Sequence, residues 1–131
     1  MKDWASLPLR LSLGIIFIAH GAQKAFGWFG GNGISGFAGM LTNLGFRPPL
    51  FWACLTACTE LIGGLLLILG LFTRMACALL FVVMLVAVTA IHFPNGFFAS
   101  NGGFEFNFLI MAALVSLAIM GTGKFSLNRK F

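Results

Sequence analysis

Four apolar stretches, each close to the ~20 residues that cross ~30 Å of hydrocarbon, constrain this chain more than any motif in it. They cover approximately residues 7–27, 50–71, 74–92 and 104–120. Within lipid the backbone has no water to bond, so spans of this kind become helices. The sequence therefore predicts an all-α membrane protein, a four-transmembrane-helix bundle forming one domain over 1–131. Composition agrees: 60% of the residues are hydrophobic and 8% charged, against ~25% charged in soluble domains. A soluble fold of this size leaves too much surface exposed to hide so much apolar area. Sixteen Phe and no Tyr suit a surface that meets acyl chains.

Punctuation supports these spans. Pro8 falls in the first turn of the first span, where its missing N–H does no harm. Pro48 and Pro49 precede the second, and Pro94 follows the third. The first span follows Met1-Lys2 but has no small-x-small cleavage site after it, so it reads as an uncleaved helix, not a signal peptide. Phe72 and Thr73 alone join the second and third spans, which makes them an antiparallel hairpin. Between the first and second spans, Ile34, Phe37, Met40, Leu41 and Leu44 recur at helical spacing. That pattern predicts a short amphipathic or re-entrant helix over about 35–44.

Lys/Arg counting gives orientation. Lys2, Arg10, Arg74, Lys124, Arg129 and Lys130 fall on one side, Lys24 and Arg47 on the other. The positive-inside rule then places both termini in the cytoplasm, in a cell inner (plasma) membrane. Trp28, Phe29, Phe51 and Trp52 would form the outer aromatic belt and Trp4 the inner one. The +5 net charge is scattered singly. Without a basic patch interleaved with aromatics, nucleic acid is not an expected partner.

Ionisable residues inside lipid are expensive and mark function. On the first span Arg10, Gly14, Phe17, Gly21 and Lys24 share a face, with His20 at its edge. On the second, Thr56, Glu60, Gly63, Gly64 and Leu67 do. Glu60 lies ~15 Å along its helix, near mid-bilayer. The third span offers Arg74, Ala78, Phe81, Leu85, Val88 and His92 as one stripe, the fourth Glu105, Ala112 and Ser116. Faces that mix small and polar residues point inward in membrane bundles. The expectation is one polar cluster in the outer half, made of His20, Lys24, Glu60, His92 and Glu105, with Arg10 approaching from below.

Ion pairing alone accounts for these charges if Glu60 pairs with Arg10 or Lys24 and Glu105 with Lys24 or His92. Two histidines in one cluster exceed what such pairing needs, so the cluster is also a candidate ligand or proton-relay site. No metal is expected, because the ligand types lack H-x-x-x-H or E-x-x-H spacing. Cys54, Cys58 and Cys77 form no C-x-x-C pair and read as structural. Cys54 and Cys58 stand ~120° and ~160° around the helix from Glu60.

Several strings now resemble the DoxX family of small membrane proteins. They are Arg10-Leu11-Ser12-Leu13-Gly14 with His20-Gly21-Ala22-Gln23-Lys24-Ala25-Phe26-Gly27, then Glu60-Leu61-Ile62-Gly63-Gly64 with Gly70-Leu71-Phe72-Thr73-Arg74. Asn95-Gly96-Phe97-Phe98, Gly103-Phe104-Glu105-Phe106 and the tail from Gly121 to Leu127 complete the match. Thr122 departs from it, since the family usually has Pro there. The resemblance implies a four-helix membrane bundle. It also implies a link to redox chemistry, because the family is named after a subunit of an archaeal thiosulfate:quinone oxidoreductase. Another relative is associated with a bacterial membrane complex linked to thiol and oxidative-stress defence. It carries no settled catalytic residues.

Three functions therefore stand open. The first is the membrane subunit of a quinone-linked oxidoreductase complex, with quinone as the candidate cofactor. The chain has no haem, flavin or iron–sulfur motif of its own, so a partner or bound quinone would carry electrons. The second is a binding or transport module for a small solute or proton, for which four short helices leave little room for alternating access. The third is a membrane anchor or assembly factor without catalysis. Expected partners are the bilayer and either another membrane or peripheral subunit or further copies of the chain.

Overall fold

A computed structural model of the chain describes residues 4–121. Every regular element among them is helical: α1 (Ser6–Phe26), α2 (Gly33–Asn43), α3 (Pro49–Leu69), α4 (Thr73–Ala87) and α5 (Glu105–Met120). A π-helical turn, Val88–His92, and a 3-10 turn, Phe93–Asn95, prolong α4. Thr122, Lys124, Arg129, Lys130 and Lys2 lie outside the described residues, and so do both chain ends whose side of the membrane the charge count assigns.

The local chemistry of the ends is the expected one. α1 stops at Gly27, whose φ of 74° is left-handed and lets its N–H reach the Gln23 carbonyl. α3 opens with Pro49 in its first turn, where no hydrogen bond is lost. It closes at Gly70 (φ 72°), with the Leu71 N–H returning to the Leu66 carbonyl at 2.9 Å. Only a residue without Cβ adopts that conformation freely.

α1 and α3 pack most closely, and glycine is the reason. A Cβ on Gly14 would meet the Gly64 carbonyl oxygen at 2.7 Å, and one on Gly64 would meet the Gly14 oxygen at 2.7 Å. Higher up, Gly21 packs on Leu61. Gly63 takes the Leu80 side chain of α4. Leu13, Phe17, Leu67, Leu80, Ile110 and Leu114 fill the space between α1, α3, α4 and α5. A second, smaller core joins Phe37 and Leu41 of α2 to Ala53 of α3. Thus α2 is the amphipathic helix expected between the first two spans, laid on the other end of the bundle from Arg10.

The outside is apolar. Ile15, Ile62, Val82, Phe108, Leu109 and Ile119 are all exposed, a surface that water would penalise and acyl chains would not. Two helical segments, Pro49–Leu69 and Thr73–Asn95, are long and apolar enough to cross a membrane. Glu105–Met120 is apolar but shorter, and α1 carries two cations.

Two expected faces are corrected. α4 buries Thr73, Ala76, Cys77, Leu80 and Met84, leaving Arg74, Ala78 and Leu85 exposed. α5 buries Asn107, Ile110, Leu114 and Leu117 and exposes Glu105, Ala112 and Ser116. Both helices are apolar all round, so side-chain packing, not the polar residues, sets which side faces in. Their charged residues sit at helix ends, where loop or terminal backbone groups receive them.

Candidate functional site

The faces expected for α1 and α3 meet. Arg10, Gly14, Phe17 and Gly21 are buried on α1, and Glu60, Gly63, Gly64 and Leu67 on α3. Because α1 and α3 run antiparallel and Gly21 packs on Leu61, Glu60 is level with Ala22, about half a turn short of Lys24. The Lys24 stem reaches back along α1, and its Nζ donates to Glu60 Oε1. This is the one ion pair among the described residues. Glu60 is 2% exposed and Lys24 26%, so the carboxylate is the enclosed partner and the ammonium its side toward the outside.

Two further features define the site. The Lys24 Nζ lies 5.2 Å from the centroid of the Phe37 ring, within the range where an aromatic face attracts a cation. Phe37 comes from α2, so three helices meet at one ammonium. The second carboxylate oxygen, Glu60 Oε2, is buried with no hydrogen-bond partner among the described residues. A buried oxygen of an acid left in that state costs free energy unless it carries a proton, a water or a ligand group. Phe37 was visible in the sequence only as one apolar position of the amphipathic segment. Its contact with Lys24 depends on how α2 docks, which spacing cannot give.

The remaining expected members do not join the pair. His20 is exposed, one turn before Lys24 on α1. Arg10 is fully buried, but eleven residues before Gly21, or ~16 Å lower along the helix. The Nδ1 of His92 donates to the Gly102 carbonyl at 2.9 Å, as does Nδ2 of Asn95 at 3.2 Å. Nδ1 carries the hydrogen of that bond, because a carbonyl oxygen can only accept. Glu105 Oε2 accepts the Ala99 N–H at 3.0 Å. His92 and Glu105 thus brace the segment between α4 and α5. The expected five-residue cluster separates into a Lys24–Glu60–Phe37 centre with His20 beside it and a loop brace made by His92 and Glu105.

Asn107, 7% exposed on α5, is a buried polar residue that the sequence left outside the cluster. Among the described residues no three His, Cys, Asp or Glu side chains converge as a metal site would require. Cys54 and Cys58 are exposed and Cys77 buried, all as free thiols.

The family model described as DoxX matches residues 5–93. The chain is 32% identical over 117 residues to "Putative oxidoreductase CatD" of Bacillus subtilis (strain 168), covering 89% of this chain and 79% of that protein. It is 30% identical over 129 residues to "Inner membrane protein YphA" of Escherichia coli (strain K12), covering 95% and 88%. It is 28% identical over 132 residues to "Uncharacterized membrane protein Rv3486" of Mycobacterium tuberculosis (strain ATCC 25618 / H37Rv), covering 93% and 78%. No solved structure matches.

Proposed function

This chain belongs to the DoxX family of membrane proteins, and from that we propose that it is the membrane subunit of a quinone-linked oxidoreductase complex. One observation carries the reading: a buried carboxyl, Glu60, shares one oxygen with Lys24 and keeps the other uncommitted. The relative named as a putative oxidoreductase supports the reaction class.

The chain crosses an inner membrane as one domain of four spans: α1, α3, α4 with its π turn, and α5. Both termini face the cytoplasm. Exposed Trp28, Phe29, Phe51 and Trp52 support an outer aromatic belt at the α2 end, and Trp52 Nε1 donates to the Arg47 carbonyl there at 3.1 Å. Glu60 then sits eleven residues into α3 from outside, at ~16 Å depth.

The residues present fit a quinone head group in kind. Lys24 offers N–H donors to a carbonyl oxygen, Phe37 a ring face, and Glu60 Oε2 a place to hold a proton. A quinone would supply two-electron, two-proton chemistry. Lys24 orients by its donors, Glu60 holds or releases a proton at Oε2, and exposed His20 passes it toward the surface. α2 limits water at the outer end through Phe37.

Structural pairing is the second reading, favoured by one finding: His92 and Glu105 bond the loop instead of the pair. The two separate in one experiment. Solvent extraction of protein purified in mild detergent should release quinone from the wild type and much less from folded Lys24→Met and Glu60→Leu variants. Wild-type protein free of quinone, or variants that retain it fully, would overturn the quinone reading.

A further inference from the structure

Arg74 stands at the end of the bundle away from α2, where α4 begins and α5 stops. Its Nε–H donates to the Ala118 carbonyl at 3.0 Å. That carbonyl belongs to the last turn of α5, whose acceptors have no intrahelical donor. The bond uses one of the five guanidinium N–H groups. The side chain is exposed, and no acidic side chain among the described residues pairs with it.

Directly beside Arg74, between α4 and α5, lies an apolar groove of 470 Å³. Ala78, Phe81 and Val82 line one wall and Val115, Ala118 and Ile119 the other. Ala78 is one turn on from Arg74 along α4. Ala118 serves both features: its carbonyl accepts from the guanidinium and the residue lines the groove. Ala78 and Ala118 are the smallest side chains of that lining and leave room between the two helices. A cation therefore stands one helical turn from the apolar slot and is bonded to the backbone of one of its lining residues.

We propose that Arg74 and the α4–α5 groove bind an anionic phospholipid, with the phosphate on the guanidinium and one acyl chain in the slot. The planar guanidinium matches phosphate oxygens through paired N–H groups. Basic sites between membrane helices select anionic head groups in this manner. Apart from the buried Cys77 thiol the slot is lined by apolar side chains, a wall suited to a hydrocarbon chain. A net-neutral lipid brings an ammonium along with its phosphate and gains less from Arg74.

The test uses the full chain, delipidated in detergent and then given equal amounts of phosphatidylglycerol and phosphatidylcholine with the same acyl chains. Native mass spectrometry reads the lipid retained. Wild-type protein should favour phosphatidylglycerol by about fivefold, the worth of one cation near a charged membrane surface. Arg74→Gln should bring the ratio to parity. Ala78→Phe, which fills the slot and leaves Arg74 in place, should reduce retention of both lipids and carries the test if Arg74→Gln misfolds. Equal retention by the wild type, or an unchanged ratio and amount in both variants, overturns the proposal. So does a lipid-free dimer, which would put a second copy of the chain in the groove.

Discussion

Lys24 of α1 and Glu60 of α3 pair across the closest helix contact in the bundle, the exposed end of one side chain meeting the buried end of the other. Removing either partner strands the other. In a soluble core that costs ~3–5 kcal/mol, whereas polar couplings in membrane bundles average ~0.6 kcal/mol. A double-mutant cycle of Lys24→Met and Glu60→Leu, read by unfolding in mixed micelles, should give a coupling of about 1–2 kcal/mol, at the top of the membrane range. A coupling near zero would remove the pair from the list of interactions that hold α1 to α3.

Glycine contacts predict opposite outcomes at two positions. Gly64→Ala puts a methyl 2.7 Å from the Gly14 carbonyl oxygen and 2.8 Å from the Ile18 side chain. Backbone must move, so the expected loss is ~1–3 kcal/mol or more. Gly39→Ala on α2 meets nothing within 4 Å, and should be neutral or gain up to ~1 kcal/mol from helix propensity. A Gly64→Ala variant as stable as the wild type would mean that α1 and α3 are further apart than described.

The loop brace should be separable from the Lys24–Glu60 centre. Glu105→Ala frees the Ala99 N–H from its carboxylate and should speed exchange of that amide roughly tenfold. His92→Ala should loosen the same segment through Gly102. Neither should change the Lys24–Glu60 coupling. If either abolishes that coupling, the brace and the centre belong to one network.

Topology is open to direct measurement. Reporter fusions after Gly33, Thr73, Gly102 and Phe131 should read outside, inside, outside and inside. An outside reading after Phe131 would contradict the positive-inside assignment.

The sequence showed α1 and α3 with their inward faces because those faces combine glycine with charge, and few arrangements satisfy both. It also showed α2, whose apolar positions have helical spacing. It misplaced the faces of α4 and α5, since helices apolar on every side carry no periodic signal. Arg74 and Glu105 seemed to mark inward faces, but each is held by backbone at a helix or loop end. His92 was misread for a further reason. The π turn at Val88–His92 departs from 3.6 residues per turn, so a face projected from Arg74 no longer holds by His92. The inward aim of Glu60 was legible; its uncommitted oxygen was not, because that depends on what neighbouring helices fail to offer.

Phe37 of α2 and Glu60 of α3 hold the same ammonium, that of Lys24 on α1. The docking of α2 and the pairing of α1 with α3 are therefore thermodynamically linked, and the linkage runs both ways. Whatever lifts α2 takes one of the two partners from the ammonium. Whatever removes Glu60 changes where the ammonium rests against the ring. A short helix at one end of the bundle is thereby coupled to a carboxyl buried inside it.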